Sequence, residues 1–216
     1  MDSAIKIILT IILPIMVVLS FAYGTAYFTM ERTMTSEYEY EVNINPAEDI
    51  ENVSITVPFP SNLSEGSFSH QEEWTEEWIT EIDEEENNLV IDADFIPAGI
   101  NSTLYLSLES DEEIDTQDPL DGEPVLDPRA SYREVERDNS SDSDPEKCYR
   151  YSSIVRITYD AEEDIDIEIY IELSGTNSWW MLEDLENQYH DRIYVEVEGE
   201  GNRKVEGLLR TGIGDY

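Results

Sequence analysis

The chain has 216 residues, of which 51 are acidic and only 12 are Lys or Arg, so its formal net charge is −39. This charge excludes nucleic acid as an expected partner, because phosphate contacts require Lys and Arg side chains. Apolar residues still make up 40% of the sequence, and they recur with a clear period, which predicts a folded domain with an acidic surface rather than a disordered chain.

The acidic, lysine-poor composition also predicts that the protein works in concentrated salt. Only Lys6, Lys147 and Lys204 are lysines. Multimolar salt shortens the Debye length to about 3 Å, which screens the repulsion between surface carboxylates. The composition therefore indicates a halophilic protein.

An uncharged apolar stretch runs from Ile7 to Phe28. As a helix it would be about 33 Å long, enough to cross a hydrocarbon core of roughly 30 Å. We predict a single transmembrane helix over 7–28, preceded by a cytoplasmic N-terminus of residues 1–6 and followed by a linker over 29–36. The alternative is a cleaved secretory signal, with Ala22-Tyr23-Gly24 or Gly24-Thr25-Ala26 as the processing site.

The charges that flank this stretch predict its orientation. Lys6 and the amino terminus lie before it and Arg32 lies after it, so the positive-inside rule places residues 37–216 outside the cytoplasm. Four Asn-x-Ser/Thr sequons agree with an extracytoplasmic location. Their asparagines, which are candidates for N-glycosylation, are Asn52, Asn62, Asn101 and Asn139.

Apolar and polar residues alternate from Glu37 onward, which is typical of half-buried β-strands. The clearest alternation runs from Ile165 to Leu173, with isoleucines inward and acidic residues or Tyr170 outward. The predicted strands are 37–44, 53–57, 78–83, 89–95, 104–108, 155–159, 165–173, 193–197 and 205–209. About nine strands without a long soluble helix predict a mainly β fold, an antiparallel, immunoglobulin-like β-sandwich over 37–216.

Two segments interrupt the alternation. Residues 110–147 are acidic, contain four prolines and predict a long exposed excursion. Residues 174–191 predict a loop with an aromatic cluster, which is either an interaction site or a loop folded over the end of the sandwich. The candidate interaction residues are Trp179, Trp180, Tyr189 and His190.

The sequence contains no recognisable catalytic or metal-binding motif. The histidines His70 and His190 have no ligand spacing, and Cys148 is the single cysteine. With 51 acidic residues, carboxylate pairs arise by chance and indicate nothing without a pocket. We therefore expect no metal, no cofactor and no enzymatic activity.

Several local blocks carry a family resemblance. They are 51–60 (ENVSITVPFP), 114–119 (IDTQDP), 123–129 (EPVLDPR), 177–180 (NSWW), 187–192 (NQYHDR) and 214–216 (GDY). In these blocks the chain resembles a family of uncharacterised membrane-anchored extracytoplasmic proteins of halophilic archaea. The resemblance implies a source and a topology, namely a single-pass protein of the cell membrane, and it implies no particular chemistry.

These observations predict an interaction or structural module in the cell envelope or in a membrane assembly. The lipid bilayer would hold its N-terminal helix, and a protein in the membrane or envelope would be its partner. Two alternatives stay open. One is a hydrolase of envelope polymers, and the other is a pilin-like filament subunit whose helix forms the assembly core.

Overall fold

The computed structural model describes residues 12–60, 63, 69–70, 75, 77–127, 131–136, 146–161, 163–180 and 183–214. Within these residues the chain forms one α-helix, α1, and a sheet of 11 antiparallel strands. The bounds are α1 Leu13–Thr33, β1 Thr35–Pro46, β2 Ile50–Pro58, β3 Ser69–His70, β4 Ile79–Asp83, β5 Asn88–Ile96, β6 Ser102–Ser110, β7 Arg133–Val135, β8 Lys147–Asp160, β9 Asp166–Trp180, β10 Asp184–Glu198 and β11 Gly201–Gly214.

Helix α1 exposes large apolar side chains around its circumference. Leu13, Val18, Phe21 and Tyr23 are 54%, 66%, 74% and 75% exposed, respectively. The helix continues through Thr33, and β1 begins at Thr35, so most of the linker predicted over 29–36 is helix and strand. The predicted span over 7–28 begins outside the described residues. In the part of the chain that the structure describes, no helix combines the length and the hydropathy needed to cross a membrane.

The strands form one continuous hydrogen-bonded path, in the order β3-β6-β1-β9-β10-β11-β8-β2-β5-β4, with β7 paired to β8. The central strands β8, β9, β10 and β11 are 14 or 15 residues long. Strands β9, β10 and β11 follow one another directly in sequence and pair with one another in that order, so they form an antiparallel meander. The chain is therefore mainly β, as the alternation predicts.

The sheet curls so that its two halves enclose one core. Four strands lie between β1 and β2 in the path, yet only residues 47–49 connect them. Tyr40 on β1 donates a hydrogen bond of 2.8 Å to the carbonyl oxygen of Pro58, and its ring packs edge-on against Phe59 with centroids 5.1 Å apart. This two-layered arrangement is consistent with a β-sandwich-like fold. It is reached by curling one sheet, whereas an immunoglobulin domain packs two separate sheets.

The inward side chains are those that the period-2 pattern predicts. Ile165, Ile167, Ile169, Ile171 and Leu173 are all buried, at 0–6% exposure, whereas Glu168 is exposed. Burial of such aliphatic side chains stabilises the fold by about 1.5–3 kcal/mol each. The register predicted for β9 is confirmed.

Part of the segment predicted as an exposed excursion packs on the sheet. Residues 111–127, which we call the cover, include the buried side chains of Ile114, Thr116 and Leu126. The exposed Glu113 and Asp115 flank Ile114, so one side of the cover faces the core. Residues 131–136 add β7 to the edge of β8. The rest of the predicted excursion, 128–130 and 137–145, lies outside the described residues.

Candidate functional site

The loop predicted over 174–191 is not observed, because most of this segment belongs to two long paired strands. Strands β9 and β10 pair continuously from Trp180↔Asp184 to Asp166↔Glu198. The prediction was wrong because the inward positions here carry Gly175, Asn177 and Asn187 instead of apolar residues. Apolar alternation therefore disappears from the sequence, although the backbone stays extended.

The four aromatic and histidine residues proposed as an interaction loop lie on different faces of the sheet. Trp179 and Tyr189 are buried, at 6% and 0% exposure, whereas Trp180 is 48% exposed. His190 follows Tyr189 and points to the outer face, because successive side chains of a strand alternate. These residues therefore do not form one stacking platform. Trp180 is exposed at the end of β9, whereas His190 lies on the outer face of β10 with 16% of its side chain exposed.

On the outer face, His190 belongs to a polar cluster around Glu172, which we call the Glu172 cluster. His190 Nδ1 lies 2.6 Å from Glu172 Oε1. The same oxygen accepts hydrogen bonds from Arg192 Nε at 2.8 Å and from Arg192 Nη2 at 2.6 Å. The hydroxyl of Tyr170 donates to the other oxygen, Oε2. The pairing of Glu172 with Arg192 follows from the register, in which the two residues lie opposite each other.

The cluster holds its central carboxylate in the ionised form. Burial opposes ionisation of Glu172, but the hydrogen bonds from His190, Tyr170 and Arg192, together with the charge of Arg192, lower its pKa to about 2. The neighbouring Glu41, across the strand pair from Glu172, responds in the opposite sense: burial raises its pKa, and the charge of Glu172 adds to the effect. The site is therefore a fixed negative charge framed by two nitrogen-bearing side chains.

The same outer face carries further pairs in which a hydroxyl is bonded to a carboxylate. Tyr105 donates to Glu39 and Ser107 donates to Glu37 between β6 and β1. On β10, Tyr194 donates to Glu196 at 2.9 Å, and 56% of the Tyr194 side chain is exposed. These bonds restrict long side chains before any partner arrives, which lowers the entropy cost of binding.

On the inner face, buried polar side chains of β9 and β10 hold the cover. Asn177 Oδ1 accepts from the backbone N–H of Ile114 at 3.0 Å, and Asn177 Nδ2 donates to the carbonyl of Ile114 at 2.8 Å. Asn187 Oδ1 accepts from Asn177 Nδ2 and from Thr116 Oγ1, both at 2.9 Å. The side-chain amide of Asn177 thus provides the hydrogen bonds that a neighbouring strand would otherwise provide to the backbone of the cover.

Asp191 lies deeper along the same face and is completely buried. Its Oδ2 accepts from the backbone N–H of Leu126 at 2.9 Å and from the hydroxyl of Tyr132 at 2.6 Å. Burial raises the pKa of Asp191, whereas its hydrogen bonds oppose that rise. Its Oδ1 and the hydroxyl of Tyr151 have no hydrogen-bond partner of normal geometry among the described residues, although the two groups interact electrostatically. Asp191 therefore ties the cover and the segment before β7 to the sheet.

A pocket of about 420 Å³ opens at the edge of β8. Strand β7 pairs with β8 as far as Arg150 and β2 pairs with it from Arg156 onward, which leaves a gap between them. Burial raises the pKa of Asp127, at the wall of this pocket, to about 6; a hydrogen bond with Ser153 opposes the rise and the charge of Asp191 adds to it. The lining residues are Thr56, Glu86, Asn88, Asp127, Ser152, Ser153, Ile154 and Arg156.

Two of the four sequon asparagines lie among the described residues. Asn52 and Asn101 are exposed, and Asn52 Nδ2 donates to Asp160 Oδ2 at 2.9 Å. Asn62 and Asn139 lie outside the described residues, and N-glycosylation of all four sites stays a prediction.

In the described ranges, no group of three or more His, Cys, Asp or Glu side chains is arranged to hold a metal ion.

Sequence reasoning missed Glu172, Asp191 and Asp127 as site residues. Glu172 is recognisable in the sequence only as an outward residue of a strand, and nothing local distinguishes it from the other outward acids. The inward position of Asp191 could be recognised from the sequence, because the residue lies between Tyr189 and Ile193 on the inward side of an extended strand. A carboxylate at an inward position requires hydrogen-bond donors.

No family model, no curated protein and no solved structure matches this chain. The resemblance to membrane-anchored proteins of halophilic archaea therefore stays a prediction. Function has to be inferred from the geometry of the described residues.

Proposed function

We propose that the protein is a single-pass membrane-anchored module that acts outside the cytoplasm by interaction, in the cell envelope or a membrane assembly of a halophile. One observation carries the proposal. Helix α1 exposes apolar side chains around its circumference and passes, through Met34 alone, into an acidic β-sandwich-like domain. An exposed apolar surface of this kind is typical of a membrane or protein interaction site, and the uncharged stretch 7–28 has the length that a lipid bilayer needs.

The interaction surface in this proposal is the outer face of β6, β1, β9 and β10. Several of its hydroxyl and carboxylate groups are already paired, and the Glu172 cluster adds His190 and Arg192 to an otherwise acidic face. Tyr and Arg are enriched in residues that dominate binding energy at protein interfaces. A partner with a polar surface and exposed basic groups fits this face best.

Protease treatment of intact cells in high salt tests the topology. We expect the β domain to be removed while a short fragment that contains α1 stays in the membrane. Survival of the domain until the cells are lysed would show the opposite orientation. A mature protein that begins near Thr25 and washes off the membrane would identify the apolar stretch as a cleaved signal.

Crosslinking in native membranes tests the interaction. We expect the intact protein to crosslink to a membrane or envelope protein, and Arg192→Ala to reduce that product at least several-fold. Glu206→Gln on the neighbouring strand β11 is the matched control, because Glu206 is exposed and lies outside the Glu172 cluster. Equal yields for both variants would exclude this face as the binding surface.

The pocket at Asp127 supports a second candidate, a hydrolase of envelope polymers. A carboxyl group with a pKa of about 6 is suited to general acid catalysis in mildly acidic conditions. Release of soluble sugars or peptides from isolated envelopes would be measured for the intact protein, Asp127→Asn and Glu86→Gln. Hydrolysis that is lost only in Asp127→Asn would support this candidate, and no hydrolysis by the intact protein would exclude it.

A further inference from the structure

Trp180 joins the β domain to the end of the helix. It is the last residue of β9, and 48% of its side chain is exposed. Thr33 Oγ1 donates to the carbonyl oxygen of Trp180 at 3.1 Å, and the backbone N–H of Trp180 donates to Thr33 Oγ1 at 3.0 Å. Because Thr33 ends α1, the position of Trp180 along the helix axis is fixed within one helical turn.

Helix geometry then gives the height of Trp180 above a bilayer. If α1 continues the span predicted over 7–28, Thr33 lies five residues beyond Phe28, or about 8 Å along the axis. The polar layer on each side of a hydrocarbon core is roughly 5–8 Å thick. The Trp180 backbone therefore lies at the outer edge of the headgroup layer, close enough for the side chain to reach into it. Trp is enriched in this layer because its ring is apolar and its N–H donates a hydrogen bond.

We propose that the end of the domain marked by Trp180 rests on the lipid surface, with the indole ring in the headgroup layer. This inference rests on the membrane anchorage proposed above. The residue paired with Trp180 is the exposed Asp184, so attraction to anionic lipid is not the source of the contact. The ring supplies the contact, and concentrated salt screens the repulsion from Asp184 and Glu183.

The contact fixes the orientation of the whole domain. Strand β1 starts next to the helix and runs for 12 residues to Pro46, a rise of about 40 Å. At that far end the backbone N–H of Gly99 donates to the carbonyl of Pro46 at 2.8 Å, and the neighbouring Ile100 is 42% exposed. Trp180 and Ile100 therefore mark the near and far ends of the domain.

Site-directed spin labelling in nanodiscs tests the proposal. The full-length protein would keep Trp180 and carry Cys148→Ser with a label at either Asp184→Cys, which pairs with Trp180 and is exposed, or Ile100→Cys, in phosphatidylcholine nanodiscs and multimolar KCl. The readout is relaxation of the label by nickel chelated to a lipid headgroup. We expect the label at position 184 to relax at least several-fold faster than the label at position 100.

The outcomes separate this contact from the anchorage. Protein that does not co-elute with the nanodiscs refutes the anchorage. Protein that co-elutes, but whose two labels relax equally, refutes the Trp180 contact and leaves the anchorage standing. Faster relaxation at position 100 would also refute the Trp180 contact, because the domain would then be inverted or would lie on its side on the membrane.

A second measurement avoids the cysteine variants. Brominated phosphatidylcholine quenches Trp fluorescence only at short range, and Trp78 and Trp179 are buried in the domain. The fourth tryptophan, Trp74, lies outside the described residues and is present in both proteins compared, so the difference between them reports on Trp180. We expect brominated lipid to quench the intact protein and to quench Trp180→Phe much less. Equal fractional quenching of the two proteins would overturn the proposal.

Discussion

The hydroxyl of Tyr189, on the inner face of β10, donates a hydrogen bond of 2.7 Å to the carbonyl oxygen of Pro124 in the cover. The Tyr189 ring reaches this position by lying across Gly175, its partner on β9. The same arrangement recurs where the Tyr151 ring lies across Gly207 of β11. In both places a glycine makes room for an aromatic ring on the neighbouring strand.

We expect Gly175→Ala to destabilise the domain by about 1–3 kcal/mol, because overpacking forces neighbouring groups to shift. An added Cβ would lie 2.3 Å from Tyr189 Cε1. The measurement is the free energy of unfolding from denaturant titration in high salt. Gly122→Ala is the control, since its Cβ would meet no atom within 4 Å, and its effect should stay within about 0.5 kcal/mol. Equal values for the two variants would contradict the packing described.

We expect Ile169→Asp to unfold the domain and Glu168→Lys to have little effect. Ile169 is completely buried and Glu168 is exposed. An unpaired carboxylate in the core costs several kcal/mol, whereas a surface substitution changes stability by about 0.5 kcal/mol or less. Circular dichroism and denaturant titration would measure both. Comparable losses would mean that the register of β9 is displaced by one residue.

We expect Glu172→Gln to lower the unfolding free energy by about 1–2 kcal/mol at pH 7, because it removes hydrogen bonds from charged donors. The pKa of Glu172 is about 2 in the folded state, against about 4.3 in the unfolded chain. Its contribution is therefore complete above pH 4.3 and is lost as the pH falls towards 2. Denaturant titration from pH 7 to pH 2.5 should show the variant and the wild type converging.

Glu196→Gln is the control for the Glu172 cluster. Glu196 is exposed and accepts a hydrogen bond from Tyr194 at 2.9 Å, so its loss should change stability by less than about 0.5 kcal/mol. A Glu172→Gln variant that loses no more than this control at pH 7 would show that the cluster does not stabilise the sheet.

We expect Asp127→Asn to change the pH dependence of stability in the opposite sense to Glu172→Gln. Asp127 has a pKa of about 6 in the folded state and about 3.9 when unfolded. The protonated group favours folding, so its contribution is complete below pH 3.9 and is lost as the pH rises through 6. Between pH 4 and 6.5 the wild type should lose stability relative to the variant. Asp191 is present in both proteins, so parallel profiles would refute the raised pKa of Asp127.

We expect the full-length protein to require salt for folding. A net charge of −39 destabilises the compact state through self-repulsion in dilute buffer. Circular dichroism in neutral detergent across a KCl series would measure the folded fraction. Equal stability at low and multimolar KCl would remove the basis for the halophilic prediction.

Period-2 alternation predicts the strands whose inward residues are apolar, with the correct faces except at the end of β5. There the alternation predicts an inward Phe95, but Phe95 is 43% exposed and Ile96 is buried instead. It fails for 174–191, because Asn177 and Asn187 occupy inward positions and bind the cover instead of an apolar core. It also fails for the cover itself. No local pattern reveals that a proline-containing acidic segment contributes Ile114 and Leu126 to the interior.

The candidate site depends on pairings that sequence alone does not show. Glu172 and Arg192 are 20 residues apart, and they meet only because the pairing of β9 with β10 places them opposite each other. The pocket at Asp127 depends on a gap between β7 and β2, which belong to distant parts of the chain. By contrast, the hairpin between β10 and β11 was predictable, because Gly199 to Asn202 provides a local turn signal.

The position of β1 between β6 and β9 has a consequence for how the chain must fold as it is synthesised. Strand β1 is the first to be made, yet Ser36 bonds to Asn177, which follows 141 residues later. Pairings this remote slow folding, because loop closure must precede any stabilising contact. Until β9 emerges, β1 and β6 form an incomplete sheet with an open edge, which is prone to aggregation. A chaperone that shields that edge would therefore act before β9, which ends at Trp180, is complete, at a stage when α1 is already made.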